Sequence, residues 1–82
     1  MARFTGRYWL NFDAERATQP LIYRMGREFD VVFNIRQATV NEKVGIMAIE
    51  LEGERDMVKA AIAWLEKQGV GVEPVEINTI EG

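Results

Sequence analysis

Neither cysteine nor histidine occurs among the 82 residues of the chain. Their absence excludes a thiolate nucleophile, an imidazole base, a Cys/His zinc cage, a self-ligated iron–sulfur cluster and a histidine-based catalytic triad. No apolar run approaches the roughly 20 residues that span a bilayer, and the opening MARFTGRYWL lacks the apolar core of a signal peptide. A soluble, cytoplasmic protein without direct membrane insertion is expected, and the lack of cysteine fits a reducing compartment. Positive charge is also scarce, with 10 Lys plus Arg against 13 Asp plus Glu and a formal charge of −3. That balance argues against a phosphate backbone as the main partner, whose affinity comes from clustered Lys and Arg.

What is present describes a globular chain, 48% apolar and 28% charged, with Trp9 and Trp64 among its aromatics. At this length one domain covering residues 1–82 is expected, with 78–82 a frayed tail. A chain this small buries only roughly 60% of the surface it exposes when unfolded, so association with a second copy is a natural supplement.

Hydrophobic periodicity gives the elements. From Arg3 to Phe12 the residues alternate, with Tyr8, Leu10 and Phe12 on one side and Arg7, Trp9 and Asn11 on the other, as in a strand. A polar link from Asp13 to Gln19 leads to Pro20, which suits the first turn of a helix. Leu21, Ile22, Met25 and Phe29 then make one apolar stripe, predicting a helix to about Phe29. After Asp30 the period returns to two. Val31, Phe33 and Ile35 oppose Val32, Asn34 and Arg36, and a reversal at 38–43 containing Asn41 and Glu42 leads to a third strand over Val44–Glu52. Gly53 precedes an acidic helix start, and Val58, Ala61, Ile62 and Leu65 recur at helical spacing up to Gln68. Gly69 stands where a left-handed residue ends a helix, and Val70–Ile77 supplies a last strand whose Pro74 requires an edge or an end.

The order βαββαβ with right-handed crossovers predicts an α+β, ferredoxin-like sandwich: a four-stranded antiparallel sheet in order 4-1-3-2 with both helices on one face. Leu10, Phe12, Val31, Phe33, Ile35, Met47, Ile49, Leu51, Val70 and Val72 are then expected beneath the helices. The other face is bare, yet it carries Trp9, Val32, Ile46, Ala48 and Val75. Such a face needs a cover. A homodimer is expected to supply it, with Trp9, Val32 and Ala48 as interface residues and with Asn34 and Arg36 as polar members of a small-molecule pocket.

The order of features is itself informative. The strand Leu10-Asn11-Phe12, the polar link to Pro20, the strand entry from Phe29 to Asn34, the third strand containing Gly45, the helix start at Gly53 and the ending Gly69-Val-x-Val-Glu together resemble the NIL domain. The resemblance covers nearly the whole chain. It implies a regulatory domain of the kind found at the C-terminus of methionine ABC importer ATP-binding subunits, where paired domains bind methionine near their interface. The family's Asn-Ile-Leu motif reads Asn34-Ile35-Arg36 here, so a cation replaces the third, apolar residue. On this resemblance Asn34, Ile35, Arg36, Gly45 and Ile46 are the ligand-binding candidates. An Asn suits an amino acid because it both donates and accepts hydrogen bonds.

The chain has no G-x-x-x-x-G-K-[ST] phosphate loop, so the ATPase activity of such importers is not expected in it. It is read as a non-enzyme with no cofactor and no metal: a module sensing methionine or a related amino acid at a dimer interface. The alternative is a protein–protein adaptor docking a transporter or a sulfur-metabolism enzyme without a ligand. Two other users of this topology fit less well. An RNA-binding module would place aromatics on the bare sheet, but the charge sign and the missing aromatic strand motif disfavour nucleic acid. An acylphosphatase-like enzyme would need a phosphate-cradling loop after the first strand. Arg36 is also placed to pair with Glu50 on the neighbouring strand, and Met47 and Met57 read as packing residues.

Overall fold

The computed structural model describes residues 3–17, 19–41 and 43–79. Strand β1 (Phe4–Asp13) is followed by a one-turn helix α1 (Ala14–Ala17), helix α2 (Leu21–Glu28), strands β2 (Val32–Val40) and β3 (Val44–Gly53), helix α3 (Arg55–Lys67) and strand β4 (Gly71–Thr79). The sheet runs β2-β3-β1-β4 with every neighbouring pair antiparallel, which is the expected order read from the other edge. No helix among the described residues is long and apolar enough to cross a membrane.

Alternation along β1 turns Phe4, Tyr8, Leu10 and Phe12 toward the helices, where they pack with Ile49 and Leu51 of β3, Leu21 and Met25 of α2, and Val58, Ala61 and Leu65 of α3. Apart from the small Ala61, seven of these side chains are fully or almost fully enclosed, Leu10, Ile49 and Leu65 among them. Each contributes on the order of 1.5–3 kcal/mol by leaving water. The ring of Phe29 meets Trp64 edge to face with centroids 6.3 Å apart, joining the end of α2 to α3.

Helix α3 ends as its sequence demands. Gly69 adopts φ 95°, its N–H bonds the carbonyl of Glu66, and the N–H of Val70 reaches back to Leu65. These two bonds are the signature of a glycine-terminated helix. Asn41 makes the β2–β3 reversal by accepting from the backbone N–H groups of Lys43 and Val44 through its side-chain oxygen.

Four expectations need correction. The link after Asp13 is not wholly irregular: a turn of helix forms at Ala14–Ala17 because the Asp13 carboxylate accepts the backbone N–H of Arg16 at 2.9 Å. Strand β2 runs on to Val40, so the reversal begins later than residue 38; Glu42 lies outside the described residues. Strand β4 includes Asn78 and Thr79, paired with Thr5 and Phe4, while 80–82 lie outside the described residues. Finally, Phe33 and Ile35 are not enclosed beneath the helices but remain 38% and 44% exposed. Helix α2 has only eight residues and meets the edge strand where the Phe33 ring lies against Gly26, leaving the rest of that strand beyond its reach.

Candidate functional site

The helix-free face of the sheet is built from residues that alternate with the core. Register places Asn34 of β2, Glu50 of β3 and Arg7 of β1 in one row across it, and Gln37, Ala48, Trp9 and Glu73 in the next. Between these rows β2 and β3 slip by one residue, so that Ile35 faces Ile49 while Gln37 faces Ala48 and Arg36 is the extra residue of a bulge. A second slip against β1 leaves Val75 as the extra residue of β4, beside Pro74, which sits on an edge strand as its missing N–H requires.

The two bulges flank a shallow depression of about 170 Å³, lined by Arg7, Trp9, Arg36, Ala48 and Val75 together with parts of Tyr8 and Ile49. Ala48 is its floor because a small residue there leaves room beside the half-buried indole of Trp9. Glu50 bridges the cations at its lip: its carboxylate accepts from Arg7 Nε at 3.0 Å and lies 3.9 Å from Arg36 Nη1. A similar pair, Arg3 with Glu52 at 3.6 Å, continues the charge pattern toward the end of the sheet. The expected pairing of Arg36 with Glu50 is therefore present. The arrangement offers an apolar floor and wall beside guanidinium groups, chemistry suited to holding a small molecule by its acid group. No cluster of metal-ligating side chains occurs among the described residues.

The candidate residues fall on both faces. Asn34, Ile46, Trp9, Val32 and Ala48 share the helix-free side with Arg36, whereas Ile35 pairs with Ile49 on the helix side. Gly45 also faces the helices, opposite Val40 and Phe12, where it borders a separate groove of about 130 Å³ with Arg16, Leu21, Val40 and Met47. The five ligand candidates thus do not converge on one cavity. Arg7 was not singled out from the sequence, although its period-two spacing from Trp9 places both on one face. The bulge at Arg36 leaves no such trace.

Comparison with known proteins agrees with the fold. The chain is similar to the methionine import ATP-binding protein MetN of Cupriavidus pinatubonensis, 37% identical over 73 residues that cover 84% of this chain and 21% of that protein. It is similar also to MetN of Escherichia coli (strain K12), 37% identical over 68 residues covering 78% of this chain and 20% of that protein. The chain therefore spans about a fifth of the length of these relatives. Among solved structures, the C-terminal domain of an ABC transporter ATP-binding protein from Enterococcus faecalis superposes with a TM-score of 0.75 at 30% identity, covering 85% of this chain and 82% of that one. Residues 7–74, the whole of the sheet-and-helix framework apart from its ends, match the NIL domain, and the chain belongs to that family.

Proposed function

We propose that this chain is a non-catalytic regulatory module that senses methionine or a related amino acid at an interface between two copies, and that it acts on a transporter in the cytoplasm. One observation carries the reading. Edge strand β2 presents Asn34 and Arg36 beside the helix-free depression and leaves Val32 and Val40, each 59% exposed, together with Ile35, without cover. An exposed edge strand of nine residues is a template for pairing with another strand, and a second copy of β2 would extend the sheet, pair the open backbone edge and flank these side chains.

A ligand at that seam meets the Asn34 carboxamide, which can accept from an ammonium and donate to a carboxylate. The similarity to methionine import proteins supplies the ligand class.

The test combines sedimentation at tens of micromolar with thermal unfolding in the presence of L-methionine. A dimer is expected, and a ligand at 100 times its dissociation constant adds about 2.7 kcal/mol of stability. Asn34→Ala is expected to abolish that gain while leaving the unliganded unfolding temperature unchanged, since Asn34 is exposed. A dimer that ignores every amino acid and sulfur relative tried would favour the adaptor reading, in which the same surface docks a transporter or a sulfur-metabolism enzyme. A monomer would remove the interface altogether.

A further inference from the structure

On the opposite side of the sheet from Asn34, a cavity of about 270 Å³ opens between α3 and β1. Phe4, Tyr8, Ile62 and Ala63 form its walls, and Arg55, Lys59 and Glu66 stand along its rim. Tyr8 is only 7% exposed. Its hydroxyl makes no hydrogen bond among the described residues, yet it is not sealed off, since no buried polar side-chain atom is left without a partner. The ring leans back over Gly6, where a Cβ would lie 2.5 Å from the phenol oxygen, so the missing side chain at residue 6 allows the phenol its position.

The Tyr8 ring is buried while its hydroxyl still reaches solvent, so a ligand entering the cavity can take over that hydrogen bond from water. The cavity has an apolar lining, a hydroxyl donor in its wall and two cations against one acid at its mouth. Arg55 is held at that mouth by stacking 4.9 Å over the Phe4 ring. Burial pushes the Tyr8 phenol above its ordinary pKa, and like any tyrosine it carries its proton at neutral pH.

We infer that this cavity binds a small carboxylate with an apolar tail, such as a medium-chain fatty acid or an aryl carboxylate. The tail lies against Phe4, Ile62 and Ala63, and the acid group accepts from the Tyr8 hydroxyl and pairs with Lys59 and Arg55. The volume suits a ligand of roughly ten non-hydrogen atoms, near the lower end of small-molecule sites. The site is independent of the amino-acid reading and stands or falls without it.

The test titrates octanoate, with octan-1-ol as the uncharged control, into the whole chain and follows the NMR signals of Phe4, Tyr8 and Ile62. Saturable binding of octanoate and none of octan-1-ol is expected. Tyr8→Phe keeps the ring and removes the donor, and should weaken octanoate about tenfold, the size of one hydrogen bond to a charged group. Lys59→Gln, on the exposed rim, should weaken it severalfold without disturbing the fold. Octanoate that fails to saturate, binding equal to that of the alcohol, or unchanged affinity in both variants would each overturn the assignment.

Discussion

The Nε of Arg16 donates a 2.6 Å hydrogen bond to the carbonyl oxygen of Gln68, tying the single turn of α1 to the C-terminus of α3 across 52 residues of chain. The same guanidinium reaches Asp13 at 2.8 Å through Nη1. A cation at a helix C-terminus offsets the partial negative charge of the last carbonyls, and here it is partly buried, so screening is reduced. Arg16→Ala is expected to cost about 1–2 kcal/mol. For a domain of this size that lowers the unfolding temperature by roughly 5–15 °C, measurable by circular dichroism. Arg16→Lys should recover only part of the loss, because an ammonium cannot present a fork to both acceptors. Full recovery by lysine would mean that charge alone holds the two ends together.

Gly69 is coupled to the same side chain. Its φ of 95° costs any L-residue roughly 1–2 kcal/mol, and a Cβ there would run into the Arg16 guanidinium. Gly69→Ala should therefore destabilise by more than the backbone penalty alone. In the double variant with Arg16→Ala the collision disappears, so the combined loss should fall short of the sum by about 0.5 kcal/mol or more in urea unfolding. Strict additivity would place the whole cost of residue 69 in its backbone.

Asp13 gives the fold a pH dependence of known sign. The backbone N–H of Arg16 holds its carboxyl below the ordinary value; desolvation, next in size, opposes this, and the charge and side-chain hydrogen bond of Arg16 with the backbone N–H of Glu15 outweigh it. A carboxyl with a lowered folded pKa stabilises when ionised. Its contribution is full above the unfolded value, about 3.9, and is lost as pH falls through the folded one. Asp13→Asn should thus be less stable than the parent at pH 7, and the gap should close progressively below about pH 4. Paired urea melts across that range provide the check, and a gap that stays constant into acid would assign the loss to geometry instead of charge.

The sheet was legible because its strands alternate cleanly. Tyr8, Leu10 and Phe12 define a buried side by period alone, and the handedness of two crossovers then leaves little choice of strand order. Helix α1 was not, since periodicity needs more than one turn; the only trace is an acid at 13 three residues ahead of Arg16. The exposure of Phe33 and Ile35 was hidden for a different reason. Their spacing matches that of enclosed residues, and whether a helix covers them depends on the length and placement of α2. The bulge at Arg36 has no compositional mark, so the sequence places Asn34 on a face but does not place Arg36 against Trp9. The Tyr8 cavity lay beyond reach as well, because it depends on the absent side chain of Gly6, two residues earlier on the same strand.

Neighbouring residues on β3 provide the sharpest check on which face is which. Ile49 is almost fully enclosed beneath the helices, and Ile49→Ala should cost about 2–5 kcal/mol through lost burial and the cavity left behind. Glu50, one residue on, points the other way to Arg7 and Arg36, whose side chains are 47% and 55% exposed. Ion pairs in such contact with water are worth only about 0–1 kcal/mol, so Glu50→Gln should leave the urea midpoint nearly unchanged. If the helix-free face is the ligand surface, that same silent substitution acquires an effect once an acidic ligand is present. Removing the Glu50 charge makes the depression more positive, so a carboxylate between the bulges should bind Glu50→Gln more tightly than the parent. A large loss of stability in Glu50→Gln, or a small one in Ile49→Ala, would reverse the two faces and with them the position of Asn34.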